Sequence, residues 1–273
     1  MLIAVDIGNT NLNTLTCLPG GDAFHRSWNI PPDTGNVDDF VLQRLLRIES
    51  PTGIVELKAH SYPKPATWRM IQTGKFDWNI LKTAILRHRP KDKFKLITHK
   101  QIPIKMDVDY PEKVGLDRLI AAFAALLNYG PGPMLVVDAG SAITIDVVQN
   151  GTFRGGAILP GLSCLAQVYP QISKKLPKVP IPDFSEAHKA KLPAYPGRNT
   201  EDAILNGMYW GTIGAIGQFY DWTHTQADEL RLILTGGDAE YLLRGLNTVI
   251  PPEQIEFCDT LVVEGIAELP LAR

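Results

Sequence analysis

The feature that most constrains the fold of this chain is a strand–turn–strand segment that occurs twice. Residues Leu2 to Thr10 read LIAVDIGNT, and residues Met134 to Ser141 read MLVVDAGS. Each copy starts with a short apolar run, ends in Val-Asp-x-Gly and a small polar residue, and is followed by a second β-prone stretch. The pattern predicts a hairpin with a carboxylate and a glycine at its tip. Two copies in 273 residues predict two lobes of similar construction.

The predicted hairpin tips suit the phosphates of a nucleotide. Glycine lets the backbone turn sharply and approach a ligand closely, and Asn, Thr or Ser side chains can donate to phosphate oxygens. The aspartate can hold a cation that neutralises those oxygens. A single Asp-x-Gly is a common turn, so it is the duplication that favours phosphate binding.

Two further segments carry candidate binding residues. Residues 235–239, TGGDA, place two glycines between a predicted strand and a helix, which suits adenosine or phosphate but also a plain strand–helix connection. Residues 111–118, PEKVGLDR, set Asp117 beside Arg118 at the start of a predicted helix. These two residues could cap the helix and face solvent. Alternatively, Asp117 accepts the proton of a substrate hydroxyl and Arg118 binds a carboxylate or phosphate.

Composition excludes several classes of function. The formal net charge of −2 and the absence of a Lys/Arg block argue against a nucleic-acid surface. The three cysteines form no CxxC pair, so a reduced compartment is expected. The histidines lack the spacing of zinc sites. The amino terminus has no signal-peptide pattern, and the longest apolar helix-like run, Leu119 to Leu127, is too short to span a bilayer. We therefore expect a cytoplasmic protein without membrane partners.

The remaining pattern predicts a mixed α/β chain. Helices are expected at Val37 to Ile48, Asn79 to Leu86 and Gly115 to about Asn128, with a strand at Phe94 to Ile97. The run Gly130-Pro131-Gly132-Pro133 ends the third helix and predicts a boundary between domains 1–130 and 131–273.

The second domain continues after its hairpin with a tight turn at Asn150-Gly151 and a third strand. A glycine-rich bend at residues 154–162 should then lead into a helix, and residues 173–198 should form a long loop. Asn199 is expected to cap a helix that runs to about His224, and Gly207 and Gly211 on its face allow another helix to approach.

With these motifs in order, the chain resembles the type III pantothenate kinases, members of the actin-like, Hsp70-like and sugar-kinase ATPase superfamily. The resemblance runs from Met1 to about Leu243. It is carried by DIGNT at 6–10, GLDR at 115–118, DAGS at 138–141, GGAILPG at 155–161, TGGDA at 235–239, and Asn199-Thr200 followed by Gly207. It implies an α/β fold of two ribonuclease-H-like (actin-like ATPase) lobes with ATP in the cleft between them.

The resemblance also implies an activity, the ATP-dependent phosphorylation of pantothenate to 4'-phosphopantothenate at the start of coenzyme A biosynthesis. Asp117 would be the catalytic base, and Asp6 would hold magnesium. Asp138 would bind a monovalent cation, K+ or NH4+. The implied ATP-binding residues are Asp6, Ile7, Gly8, Asn9, Thr10, Asn11, Leu12, Asn13, Ser141, Gly236 and Gly237. The implied pantothenate-binding residues are Gly115, Leu116, Asp117, Arg118 and Thr200.

Some positions depart from the family pattern. The aromatic residue usual seven positions before Gly115 is Val108 here, and Tyr110 is the nearby substitute as a substrate-binding residue. The Ser-Val-rich stretch typical of the first lobe is not recognisable around Trp68 to Gly74. The resemblance further implies a homodimer. Two alternatives stay open from the residues alone: a related kinase acting on another small alcohol, and a non-catalytic nucleotide-binding regulator.

Overall fold

The computed structural model describes residues 1–30, 36–50, 53–58, 62–181, 190–225 and 229–270. The chain divides into two compact units. Unit 1 comprises residues 1–103, 114–120 and 262–273, and unit 2 comprises residues 104–113 and 121–261. This division differs from the expected boundary at residues 130 and 131, which stays a prediction.

Unit 1 is built on a five-stranded sheet. Its elements are β1 (Leu2–Ile7), β2 (Asn11–Cys17), β3 (Ala23–Asn29), α1 (Val37–Phe40), a π-helical turn (Val41–Leu45), β4 (Arg47–Ser50), β5 (Gly53–Glu56), β6 (Thr67–Gln72), α2 (Trp78–His88) and β7 (Lys93–Leu96). The sheet order is β3-β2-β1-β6-β7, while β4 and β5 pair separately. The hairpin pairs β1–β2 and β2–β3 are antiparallel, and β6 and β7 run parallel to β1.

Unit 2 contains a six-stranded sheet. The chain continues with β8 (Lys105–Met106), α3 (Leu116–Tyr129), β9 (Met134–Ala139), β10 (Ala142–Gln149), β11 (Thr152–Pro160), α4 (Leu162–Ile172), α5 (Thr200–His224), β12 (Arg231–Thr235), α6 (Ala239–Leu246), β13 (Ile255–Phe257) and α7 (Leu261–Glu268). Of these elements, the first turn of α3 and nearly all of α7 belong to unit 1. The sheet order is β13-β12-β9-β10-β11-β8. Aliphatic residues of β9, β10 and β12 form its core with the buried faces of α5 and α6.

The two sheets share one topology. When the short edge strand β8 is left out, each main sheet has five strands, which can be numbered 1 to 5 in chain order. Both sheets then have the spatial order 3-2-1-4-5. Strands 1 to 3 form an antiparallel meander, and strands 4 and 5 run parallel to strand 1. This is the ribonuclease-H-like arrangement, so the prediction of two such lobes in an α/β chain is confirmed. The duplicated sequence motif occupies the β1–β2 hairpin in one sheet and the β9–β10 hairpin in the other.

Several predicted elements are confirmed and two need correction. The helices expected near residues 79–86, 115–128 and 199–224 are α2, α3 and α5, and Asn199 caps α5 by accepting from the backbone of Asp202 at 2.8 Å. The helix predicted at Val37 to Ile48 is wrong at its end. Helical structure stops at Leu45 and Ile48 lies in β4, where a strand buries it to 3% exposure.

The second correction concerns the glycine-rich segment at 154–162. It is not a bend, because Gly155 and Gly156 lie inside β11 and the helix α4 starts only after Gly161. A Cβ at Gly156 would overlap the carbonyl oxygen of Ile145 on the neighbouring strand, close to a register shift between Asp146 and Val148. Glycine here therefore permits a close strand approach at an irregular pairing. In the expected loop, residues 173–181 and 190–198 contain no helix or strand, and 182–189 lie outside the described residues.

A buried ionic network holds unit 1 together. The Asp92 carboxylate accepts from Arg89 Nε at 2.6 Å, Trp68 Nε1 at 2.7 Å and Ala66 N at 2.9 Å. The Arg89 guanidinium also donates to the carbonyls of Leu57, Tyr62 and Lys64. Arg89 and Asp92 are only 2% and 8% exposed, so protein groups rather than water supply their hydrogen-bond partners.

The carboxyl end of α7 is fixed by one arginine in unit 1. Arg69 on β6 is 7% exposed and donates to the carbonyls of Ala267 at 2.6 Å and Leu269 at 2.8 Å. A cation on the last carbonyls of a helix satisfies acceptors that have no partner inside the helix. This contact joins the carboxyl end of α7 to β6 within unit 1.

Removing Asp92 should strongly destabilise unit 1. Asp92→Ala leaves the Arg89 guanidinium buried without its counter-charge, so we expect a loss of about 3–5 kcal/mol in the free energy of unfolding. The measurement is equilibrium urea unfolding. The matched control is Asp38→Ala, which breaks the exposed Arg87–Asp38 pair and should cost less than about 1 kcal/mol. Equal losses in the two variants would contradict a special role for the buried network.

Candidate functional site

The first hairpin turn presents backbone and short polar side chains. Asp6 pairs with Asn13 across the hairpin, and Asn13 Nδ2 donates to Asp6 Oδ2 at 3.4 Å. The turn is closed by Gly8 N, which donates to the Asn11 carbonyl at 3.0 Å. Asn9 and Thr10 are exposed at its tip. The chain thus offers amides, an amide side chain and a hydroxyl at one point of the surface.

Not every expected ATP-binding residue can act through its side chain. Ile7 is 0% and Leu12 is 1% exposed, because both side chains belong to the core beneath the hairpin. Any contact that these two residues make with a ligand comes from the main chain.

The turn after β6 packs directly on this hairpin. The amides of Thr73 and Gly74 both donate to the Ile7 carbonyl at 3.0 Å. A Cβ at Gly74 would overlap the Gly8 carbonyl group and lie 2.8 Å from Asn9 N. Gln72 holds the same turn, since its side chain donates to the Gly74 carbonyl and accepts from Trp78 N. Residue 74 is therefore restricted to glycine by backbone contact.

The second hairpin turn is similar but one residue shorter. Four residues separate the paired Ile7 and Leu12, whereas three separate Ala139 and Ile143. Gly140 N donates to the Ala142 carbonyl at 3.0 Å, and Ser141 is exposed. Asp138 pairs with Thr144 in the position that Asp6 and Asn13 occupy in the first hairpin. The duplicated carboxylate therefore has an equivalent place in both units.

The turn after β12 repeats the contact made by the turn after β6. Asp238 N donates to the Ala139 carbonyl at 2.8 Å, as the Thr73 and Gly74 amides do to the Ile7 carbonyl. Gly236 has φ +99°, and a Cβ there would lie 2.5 Å from Asp138 Oδ1. Gly237 is exposed beside it. Positive φ and close approach together require glycine at position 236.

Asp238 lies in an unusual electrostatic environment for a carboxylate. Its pKa is raised to about 7, chiefly by burial of the carboxyl group; the Leu162 backbone N–H lowers the pKa, and the negative charge of Asp138 contributes to raising it. Its Oδ2 is buried without a hydrogen-bond partner. The sequence motif included this residue, but only the structure shows that its side chain points away from solvent.

The GLDR segment forms the first turn of α3. Asp117 Oδ1 accepts from Arg118 N at 2.8 Å, and the Asp117 side chain is partly exposed. A Cβ at Gly115 would lie 2.4 Å from Asp117 Oδ1, so a side chain at position 115 would displace this carboxylate. The preceding residue is held by His99, whose Nε2 bonds the Val114 carbonyl at 2.7 Å. An acid fixed in this way at a helix start can accept a proton from a ligand hydroxyl.

Other expected substrate-binding residues lie on the surface of unit 2. Tyr110 is 61% exposed, and the Lys113 ammonium lies 4.3 Å from the centre of its ring. Thr200 is exposed as the first residue of α5. A cavity of about 680 Å³ follows along this helix. It is lined by Tyr195, Gly197, Ala203, Asn206, Gly207, Trp210 and Gly211.

The donor atoms fit the two expected cations in different ways. Among the described residues, no group of three or more His, Cys, Asp or Glu side chains has metal-binding geometry. Magnesium commonly binds through one or two carboxylates together with substrate phosphates, so a single Asp6 at the hairpin fits it. Near Gly236, the Asp138 carboxylate and the Ala139 carbonyl are neighbours, since a Cβ at Gly236 would lie within 2.5 Å of an oxygen of each. Oxygen donors of this chemical type are the ones that K+ takes.

Sequence reasoning missed Gly74 and Asp238 as candidate functional residues. A signal for Gly74 was present, because Gln72-Thr73-Gly74 follows a strand in unit 1 as Thr235-Gly236-Gly237 does in unit 2. No sequence signal distinguishes the buried Asp238 from an ordinary helix cap.

Comparison with known proteins identifies a family. The family model described as type III pantothenate kinase matches residues 2–221. A relative named type III pantothenate kinase from Persephonella marina is 30% identical over 250 residues, which are 90% of this chain and 91% of the relative. Another of that name from Rhodopirellula baltica is 36% identical over 153 residues, 56% of this chain and 54% of the relative.

A solved structure supports the fold. A Campylobacter jejuni protein described as a Baf family transcriptional activator aligns with a TM-score of 0.55 at 24% identity, over 98% of this chain and 96% of that protein. In addition, none of the described helices combines the length and apolarity needed to cross a membrane.

The contact at Gly74 leads to a test of the first hairpin. Gly74→Ala places a methyl group against the Gly8 carbonyl and must displace the turn, so we expect ATP binding to weaken by about tenfold or more, or ~1.4 kcal/mol. The measurement is calorimetric titration with a non-hydrolysable ATP analogue. Gly132→Ala is the matched control, because a Cβ there has nothing within 4 Å. Unchanged ATP affinity in folded Gly74→Ala would show that the hairpin position does not matter for the nucleotide.

Proposed function

The chain belongs to the type III pantothenate kinase family, and on that premise we propose which of its residues carry the reaction. The reaction is the transfer of the ATP γ-phosphoryl group to pantothenate, an early step towards coenzyme A. The residue assignment rests on the structural equivalence of the Asp6 and Asp138 hairpins. The turn after β6 packs on the first hairpin, and the turn after β12 packs on the second.

In unit 1, the hairpin from Asp6 to Asn13 binds the ATP phosphates. Its exposed tip supplies backbone amides and the side chains of Asn9 and Thr10, while Ile7 and Leu12 contribute only main chain. Asp6 holds magnesium, which when bound neutralises charge on the phosphates. In unit 2, Ser141 contacts ATP through its hydroxyl, and Gly236-Gly237 form the turn for adenosine.

Pantothenate is bound by the residues around the start of α3. Gly115 and Leu116 shape the turn, Arg118 binds the pantothenate carboxylate through its planar guanidinium, and Asp117 accepts the proton of the attacking hydroxyl. Tyr110 and Thr200 are further substrate contacts, supported by their exposure. In phosphoryl transfer the protein mainly positions the reactants and neutralises charge, so few side chains need to react.

The proposal includes a monovalent cation at Asp138. The support is the convergence of the Asp138 carboxylate and the Ala139 carbonyl near Gly236. K+ or NH4+ bound there lowers the negative charge at a turn that must accept a polyanion. Magnesium at Asp6 and the monovalent cation at Asp138 have separate donor sets in this scheme.

We also propose a cytoplasmic homodimer. Its support is the family resemblance together with Gly207 and Gly211, which are exposed four residues apart on α5 and leave room for a partner helix. A twofold dimer requires a surface patch that is complementary to itself, and a close helix–helix contact at these glycines would supply part of it. The three cysteines are free thiols, in keeping with a reducing compartment.

Asp117→Asn should retain the fold and ATP binding but lose turnover. The amide preserves the shape of the side chain and cannot take a proton, so kcat should fall by about 10²–10⁴-fold. Glu112→Gln is the matched control, because it neutralises an exposed acid in the turn before α3. The measurement is a coupled assay of pantothenate-dependent ADP release. If Asp117→Asn kept more than about half of the wild-type kcat, Asp117 would not be the base.

The cation proposal predicts an ion-specific response. Turnover should rise on replacing Na+ by K+ or NH4+ at equal ionic strength, and Asp138→Asn should abolish the difference. The second readout is the thermal unfolding midpoint, which K+ should raise in the wild type because a ligand that binds only the folded state stabilises it. Full activity in Tris buffer free of K+ and NH4+ would refute this role of Asp138.

A further inference from the structure

His99 holds the chain at the point where it returns to unit 1. Residues 104–113 belong to unit 2, and Val114 is the first residue of the segment 114–120, which belongs to unit 1 again. His99 Nε2 lies 2.7 Å from the Val114 carbonyl oxygen. A carbonyl oxygen only accepts hydrogen bonds, so Nε2 carries a proton and donates it. The bond therefore joins two segments of unit 1 that are fifteen positions apart in the chain.

The His99 side of this bond is anchored to the sheet of unit 1. Directly after β7, Ile97 N donates to the Met70 carbonyl of β6 at 2.8 Å. The short 3-10 turn that follows contains His99. Two bonds close this turn, since Gln101 N donates to the Thr98 carbonyl at 3.0 Å and Thr98 N donates to Gln101 Oε1 at 2.7 Å. The imidazole thus extends from a backbone whose position is fixed by the sheet.

The other side of the bond leads to Asp117 through one peptide group. The Val114 carbonyl is part of the planar peptide group that ends at Gly115 N, so a bond to this carbonyl orients the chain entering Gly115. Asp117 Oδ1 lies against this glycine, because a Cβ at Gly115 would be 2.4 Å from it. The Gly115 carbonyl also accepts from Leu119 N at 3.2 Å. The place of Gly115 therefore sets both the start of α3 and the seat of the carboxylate.

The bond matters more for the position of the base than for the stability of the fold. A single hydrogen bond makes a small net contribution to the stability of a protein, because the unfolded chain forms equivalent bonds with water. In contrast, displacing a reacting group by about 1 Å can lower a rate by about 10²-fold. Loss of the His99 bond should therefore be seen first in turnover.

We propose that His99 is a positioning residue for the catalytic step: by holding the Val114 carbonyl, it keeps Asp117 where it can take the proton of the pantothenate hydroxyl. The statement rests on the proposed function, in which Asp117 is the base. His99 acts through the backbone of residues 114 and 115 rather than on the substrate.

The test compares two amide side chains at position 99 in the full chain. His99→Gln places an N–H donor at about the distance of Nε2, whereas His99→Asn is one methylene shorter and leaves its N–H short of the Val114 carbonyl. His88→Asn is the matched control, because His88 Nε2 has no hydrogen-bond partner within the described part of the chain. For each protein we would measure kcat and KM for pantothenate, the Kd of a non-hydrolysable ATP analogue, and hydrogen exchange of the Leu119 amide without ligand.

The expected result is specific to the shorter amide. His99→Asn should lower kcat by about tenfold or more, because the base is displaced, while the Kd of the ATP analogue stays within about twofold. The Leu119 amide should exchange at least about threefold faster, since the carbonyl that it bonds is no longer held in place. His99→Gln should recover kcat to within about threefold of the wild type, and His88→Asn should match the wild type in every measurement.

Three results would overturn the proposal. Wild-type kcat in His99→Asn would show that the bond does not place the base. An equal loss of kcat in His99→Asn and His99→Gln would make the imidazole ring, rather than its bond to Val114, the cause. A loss of ATP-analogue affinity as large as the loss of kcat would indicate a general structural defect.

Failure of the proposed function is recognised separately. In that case pantothenate would cause no ADP release by the wild-type protein. The Leu119 exchange rates of His99→Asn and His99→Gln would still show whether the bond to Val114 holds the start of α3.

Discussion

The arrangement of both units depends on one backbone contact, which each unit makes once. The turn after β6 packs on the β1–β2 hairpin turn, and the turn after β12 packs on the β9–β10 hairpin turn. In unit 1 the Ile7 carbonyl accepts from Thr73 and Gly74, and in unit 2 the Ala139 carbonyl accepts from Asp238. Strands that run parallel side by side end at the same edge of the sheet, so their turns must share that space. Because a Cβ would occupy it, glycine stands at 74 and 236.

This contact determines what the hairpins can offer a ligand. The Ile7 and Ala139 carbonyls accept hydrogen bonds from the neighbouring turn, and the short side chains of Asn9 and Ser141 at the tips are exposed to a ligand. Preorganised donors of this kind are what phosphoryl transfer requires, since the reaction depends on positioning and charge neutralisation. The packing at the sheet edge is thus the physical basis for the proposed nucleotide site.

Two buried aspartates illustrate the difference between structural and functional polar groups. Asp92 receives hydrogen bonds from Arg89, Trp68 and Ala66, so its charge is fully compensated and holds the sheet of unit 1 together. Asp238 is 7% exposed, and its Oδ2 has no hydrogen-bond partner. A satisfied network is expected in a core, whereas a partly satisfied one marks a site where geometry has been favoured over stability.

The sequence by itself determined the repeated hairpins, the α/β class and most helices. Apolar residues that recur with a period of two or 3.6 indicate strands and helices, and this signal, like a glycine turn, is a local property of the sequence. The segments Leu2 to Thr10 and Met134 to Ser141 were therefore sufficient to predict two similar lobes. The same local chemistry predicted the Asn199 cap and the candidate base Asp117. The predicted end of the helix at Ile48 was wrong, because Ile48 lies in β4. Its apolar side chain indicates burial, and a helix and a strand can bury an apolar residue equally well.

Only the tertiary structure decided which residues support the candidate site. Gly74, Gly161 and Asp238 contact turns that are distant in the chain, and nothing in their own neighbourhoods shows that they meet Gly8, Gly140 or Ala139. Likewise, Arg69 donates to the carbonyls of Ile266, Ala267 and Leu269, nearly two hundred positions away. Sequence patterns report local conformation and burial, whereas steric exclusion and capping between elements exist only once the sheets have formed.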